Sequence, residues 1–191
     1  MRLLRVWAFI CAAVLSGAAA PRASAQAPLT LPELTSTPEE AASLFLRSVR
    51  AIRWSAAAQF MSADALGDFR ETVTLFSDTD TTGAIRALLV QTDARGLAAL
   101  DDAEVFARAI GAVIDDMPGL MHALYDRDDE VVGHVAEGPD SAHVVYRTTA
   151  RISGAQPEVK VMQLVRTPDG WRVLWSDELE VIEAALRGVG R

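Results

Sequence analysis

The sequence predicts an α+β domain, with helices in the N-terminal half and then an antiparallel sheet of three to four strands. Three observations carry that prediction. Apolar residues recur at steps of three and four from Ala42 onward. From Glu130 the period changes to two. The alternating segments are separated by "GPDS", "SGAQP" and "TPDG", turns short enough for hairpins and too short for crossovers.

The first helix starts at "TPEE". Thr37 can cap it, Pro38 fits the first helical position, and Glu40 completes a capping box. Ala42, Phe45, Val49, Ile52, Ala56 and Phe60 mark one apolar face, which predicts a single helix over 38–60. Arg47, Arg50 and Arg53 fall mostly off that face and read as solvated surface. Ser62 opens a second helix that buries Leu66, Phe69, Val73 and Phe76 and breaks over 77–82. "GAIRALLVQT" leans helical, and "DARG" is a turn. Asp101 or Asp102 caps the next helix, whose stripe is Val105, Phe106, Ala109, Ile110, Val113 and Ile114, with Pro118 interrupting it.

Strands are predicted over 131–138, 142–152, 158–166 and 171–181. In the second, Val144, Tyr146, Thr148, Ala150 and Ile152 share one face, while His143, Arg147, Thr149 and Arg151 share the other. The third is apolar on both sides, as near a sheet centre. Gly170 supplies the positive φ that the "TPDG" hairpin needs.

Ahead of these elements the chain reads as an export signal. Arg2 and Arg5 precede the apolar run "VWAFICAAVLSGAAA", and "ASA" at 23–25 has the small-x-small pattern of a cleavage site. Residues 1–25 are therefore expected to be a secretory signal peptide, 26–36 an extended leader and 37–191 a single domain in an exported, periplasmic or secreted protein. The run is shorter than the roughly 20 residues of a spanning helix, so no stable membrane insertion is expected after cleavage. "WAFI" lacks the small residues that precede a lipidated cysteine, which argues against an anchor at Cys11. Cys11 is the only cysteine, so the mature chain has no disulfide and no thiolate metal site.

Composition excludes some partners. Removing Arg2, Arg5 and Arg22 leaves 15 basic against 26 acidic residues, a net of −11. Nucleic acid and anionic membrane surfaces are poor partners for such a chain.

Two stretches suggest metal. "DTDTTGAIRALL" (78–89) puts Asp78, Asp80 and Thr82 at positions 1, 3 and 5 of a calcium loop, with Gly83 at position 6. Position 9 is Arg86, and position 12 is Leu89 instead of the bidentate glutamate. Turn formation explains the same letters, so no metal is assigned. "DRDDE" (126–130) reads as a solvated turn between helices and sheet. His122 and Asp126 are too few for a metal site. There is no G-x-S-x-G turn, G-x-G-x-x-G fingerprint or P-loop, so no nucleophile and no cofactor is expected.

The amphipathic first helix, the strand "AHVVYRTT" and the hairpin "QLVRTPDGWRVL" together resemble the nuclear-transport-factor-2-like superfamily, in particular exported bacterial members, over 37–181. The resemblance implies a cone-like fold with a curved sheet, and it makes the helical region 77–129 an insert that could cap or fill the cone. It also implies the possibility of a homodimer formed through the sheet. The superfamily spans isomerases, dehydratases, cyclases and non-enzymes, so it does not name a reaction. In its enzymes, polar groups project into the cone. Strict alternation puts Trp175 and Asp177 with Trp171 and Val173 on the last strand's apolar face. Tyr146 lies on its strand's apolar face, and Gln163 shares parity with Val159, Val161 and Val165. Tyr146, Gln163, Trp175 and Asp177 are thus the candidate ligand-binding residues. Missing catalytic signatures favour an exported non-enzymatic domain that binds a small apolar ligand or a protein partner. The alternative is an isomerase, dehydratase or hydrolase using Asp177 with Tyr146. His134 and His143 read as strand-surface or satisfied core residues.

Overall fold

The computed structural model describes residues 37–79, 98–116, 125–176 and 179. Thr37 Oγ1 accepts a hydrogen bond from the Glu40 N–H, and Pro38 occupies the first turn of α1 (Pro38–Arg50). Ala41, Ala42, Phe45, Leu46 and Val49 are buried along one side, as the helical period requires.

The helix stops ten residues before the predicted end. The N–H of Ile52 bonds the carbonyl of Val49 and that of Arg53 bonds the carbonyl of Ser48, the paired bonds of a Schellman cap. Such a cap needs a left-handed residue, and Ile52 takes it with φ 56°. Glycine is the default there, because a β-branched side chain crowds its own backbone. Ile52, expected on the buried face, is instead exposed. Trp54, Ala57 and Ala58 of α2 (Trp54–Ala58) are buried in its stead. Left-handed backbone costs a non-glycine residue about 1–2 kcal/mol, and the extra freedom of glycine in the unfolded chain offsets about 0.4–1 of that. Ile52→Gly is therefore expected to stabilise the fold by about 0.5–1 kcal/mol, a rise of roughly 1–4 °C in Tm. A melting temperature that stays level or falls would show that the turn stores no strain.

After α2 a turn at Gln59 and Phe60 brings Met61 into a parallel bridge with Val173. The Ser62 N–H donates to the Val173 carbonyl at 2.8 Å, and the Val173 N–H donates to the Phe60 carbonyl at 2.7 Å. Ser62 then caps α3 (Ala63–Thr79), its hydroxyl accepting from the Ala65 N–H. Leu66 and Val73 are buried, with Phe69 beside them. α4 (Asp102–Asp116) begins with a reciprocal capping box: the Asp101 carboxylate accepts from the Glu104 N–H, and the Glu104 carboxylate accepts from the Asp101 N–H. Its six predicted stripe residues, Val105 to Ile114, are all buried. Phe106 meets Phe69 edge to face, with centroids 5.1 Å apart.

The strands are β1 (Arg127–Ala136), β2 (Ser141–Ala150), β3 (Glu158–Thr167) and β4 (Gly170–Ser176). They form one antiparallel sheet in the order β1-β2-β3-β4. Gly170 has φ 103°, as its hairpin requires. The fold is thus α+β with four antiparallel strands. α1 packs across β1, β2 and β4, while α4 packs on α2 and α3. β1 starts four residues before the predicted start, so Arg127 to Glu130 of "DRDDE" are strand rather than turn, and only Asp126 lies in the bend before it. β2 ends at Ala150, and Ile152, expected on the inner face, lies exposed in the turn beyond it. Two bulges interrupt the ladders, at Val132 in β1 and at Leu174 in β4.

Candidate functional site

The inner face of the two central strands is filled. Ala142, Val144, Tyr146, Met162 and Leu164 have no exposed surface. Tyr146 stands on β2 opposite Val131 and Lys160. Zero exposure means that no water-sized space touches its hydroxyl, so no room is left beside it for a substrate atom.

Gln163 lies on the other face. It stands opposite His143, with Val145, Val161 and Val165 as same-face neighbours. The expectation that it points inward is corrected by packing: Met162 and Leu164, the larger side chains, take the inner positions. Tyr146 and Gln163 therefore do not share a site.

The bulge in β4 also removes the basis for grouping Trp175 and Asp177 with Val173. Leu164 pairs with Val173, but Gln163 pairs with Trp175, leaving Leu174 as the extra residue. One extra residue reverses the parity of everything after it. Ser176 consequently faces inward and is fully buried, and the Leu179 N–H approaches its hydroxyl at 3.4 Å. Only the backbone of Trp175 is described, and Asp177 lies outside the described residues, as do His122 and the whole N-terminal signal and leader. So does the 78–89 stretch, apart from the helical backbone of Asp78 and Thr79 at the end of α3. Of the 77–129 insert, α4 is its principal described element.

The acids of "DRDDE" separate onto two faces. Asp128 accepts two hydrogen bonds from Arg151, at 2.6 and 3.1 Å, and lies 3.5 Å from Arg50. Those guanidinium donors hold the Asp128 carboxyl below the usual aspartate range. Glu130 accepts from Arg147 at 2.9 Å. Asp129 turns inward, where its carboxylate lies 3.3 Å from Arg127 Nε, both side chains almost wholly buried. Thr148, opposite Asp129, is buried, and its hydroxyl has no hydrogen-bond partner among the described residues. Among the described residues no cluster of three metal-ligating side chains occurs, and no helix is long and apolar enough to cross a membrane.

At the other end of β1, His134 meets Glu39 of α1. The hydrogen bond from His134 is the main influence holding the Glu39 carboxyl below its ordinary value of 4.5. Its stabilising contribution is therefore fully present above pH 4.5 and is lost as pH falls through the lower, folded-state value. Glu39→Gln is expected to flatten that part of the acid limb of a stability–pH profile, measured by denaturant titration. An unchanged limb would show that the contact carries no linkage.

The outer face of the sheet holds the feature that strand periodicity alone did not assign. Val135, Val159 and Val161 are exposed by 62%, 65% and 47%, with Val145 and Val165 partly buried among them. Two polar contacts flank the row: the ion pair of Arg147 with Glu130, and the hydrogen bond between His143 and Glu137, 2.8 Å long. The signal that could have found this face is the volume difference on β3, where Val159, Val161 and Val165 alternate with Met162 and Leu164. Comparison with family models, with curated proteins and with solved structures finds no match for the chain.

Proposed function

We propose that the chain is an exported, non-enzymatic binding domain of the nuclear-transport-factor-2-like kind, and that it docks a second copy of itself through the outer face of its sheet. The row of exposed valines on β1 and β3, bordered by charges of both signs, supports this reading. Such a face loses water-exposed apolar area on docking, and its mixed charges let two copies meet across a two-fold axis. Burial of Tyr146 favours a core role for that residue and lends nothing to the acid–base alternative with Asp177.

Light scattering on the purified chain beginning at Gln26 tests the reading. A dimer is expected, and Val161→Glu is expected to convert it to a monomer with unchanged circular dichroism. A wild-type chain that stays monomeric over the accessible concentration range rejects the sheet-face dimer. Mass spectrometry of the secreted or periplasmic protein tests export, with a mature N-terminus at Gln26 as the expected result.

A further inference from the structure

The C-terminal end of α1 carries a feature that the sheet-face reading does not use. Arg47, Arg50, Arg53 and Arg151 line one open cleft of about 440 Å³, together with Ala51 and the half-exposed ring of Tyr125. Among the described residues that line it, the charged side chains are all guanidinium groups, with the carboxylates of Asp126 and Asp128 acting on Arg151 from beside it. That is an unusual concentration for a chain with a net charge of −8. Asp128 stands beside it and engages Arg151 and Arg50, and the backbone carbonyl of Asp126 accepts from the Arg151 N–H. Among the described residues, Arg47 and Arg53 have no carboxylate within ion-pair distance.

A helix C-terminus favours cations through its dipole, and that alone could hold Arg47 and Arg50 there. It does not account for the convergence. The carbonyls of Arg47, Ser48 and Val49 already accept backbone hydrogen bonds in the Schellman cap, so they offer the guanidinium groups little. Arg53 and Arg151 come from different segments altogether, the turn after α1 and the turn after β2. Arg53 follows directly on Ile52, whose left-handed backbone aims the turn.

We infer that this cleft is a binding site for a small polyvalent oxyanion, a molecule carrying two or more phosphate or carboxylate groups. Each guanidinium presents a planar fork of donors that matches such a group two bonds at a time. The volume lies in the range of small-molecule sites. Asp128 acts as the gate on charge: it holds Arg151 and Arg50 in place while Arg47 and Arg53, without a carboxylate partner among the described residues, supply the free donors. The adjoining hollow of about 220 Å³ shares Arg47 and Arg50 and ends on Asp129, whose buried carboxylate repels an anion and so bounds the site on that side.

The test is calorimetric titration of the chain beginning at Gln26 with pyrophosphate and, separately, with citrate, at constant ionic strength. Saturable binding of either is expected. A response to pyrophosphate alone assigns phosphoryl chemistry, and a response to citrate alone assigns carboxylate chemistry. The double variant Arg47→Gln/Arg53→Gln, both exposed positions, should fold normally and bind roughly ten-fold or more weakly. Binding that persists undiminished in that variant, or no saturable binding of either anion, overturns the inference. Neither result depends on whether the sheet face dimerises, because the variant that dissociates the dimer, Val161→Glu, should bind the anion like the wild type.

Discussion

Asp129→Ala is expected to cost about 3–5 kcal/mol of folding free energy, one of the two largest effects we anticipate for a single substitution. Asp129 and Arg127 sit two residues apart on β1 and turn the same way, into the domain. Their side chains are 5% and 7% exposed. Removing the carboxylate takes away the negative charge 3.3 Å from the Nε of a guanidinium held away from water. The pair as a whole has little net value, because burying both charges is itself expensive. The double replacement Arg127→Met/Asp129→Leu should thus be neutral, or stabilising by about 1–4 kcal/mol. Urea denaturation of the two variants decides the matter. A cost below about 1 kcal/mol for the single alanine would mean that the pair is solvated in the folded protein.

Phe106→Ala is expected to cost about 3–5 kcal/mol through lost burial and the cavity left behind. Phe106 is fully buried on α4, and it joins α4 to α3 through its edge-to-face contact with Phe69. Double-mutant analysis with Phe69→Ala should return a coupling of about 0.5–1.5 kcal/mol for the ring pair. Thermal and urea unfolding give both numbers. If Phe106→Ala were to unfold α4 alone, the denaturation slope would fall together with the midpoint. A cost below about 2 kcal/mol with an unchanged slope would show that neighbouring side chains collapse into the space.

Where local chemistry and long-range packing agreed, the fold was legible. The caps at Thr37 and Ser62 were visible as letters, as was a cap at Asp101 or Asp102, which the chain gives to Asp101, and each makes its bond. The α4 stripe was legible because six apolar residues repeat at one helical period, with only the small or charged residues Ala107, Arg108, Gly111 and Ala112 between them. Ile52 was not legible, since nothing in an apolar, β-branched residue announces left-handed backbone. Its apolar neighbours at helical spacing continued the pattern into a helix that the chain breaks.

The candidate site suffered from a subtler problem. Parity along β3 is decided by size, with Met162 and Leu164 inside, while Val159, Val161 and Val165 kept the other face apolar as well. Gln163 was therefore assigned to the wrong side. On β4 a single extra residue at Leu174 reverses the facing of the strand, a change that alternation cannot reveal. The arginine cleft draws on the helix end, the turn after β2 and Tyr125, segments that only the folded chain brings together.

The short stretch Phe60–Ser62 has a consequence for how copies of this chain behave when crowded. A sheet of four strands has two borders, and each border is a template on which another chain can add a strand and start a fibre. At the β4 border, Val173 has both its outward backbone groups engaged by Phe60 and Ser62. At the β1 border, the bulge at Val132 and the charges of Asp128 and Glu130 spoil the flat, apolar run that such growth needs. The borders therefore discourage the runaway growth that the exposed valines of the outer sheet face would otherwise invite. Disrupting the Phe60–Ser62 bridge should show itself first as aggregation on storage, ahead of any large loss of folding stability.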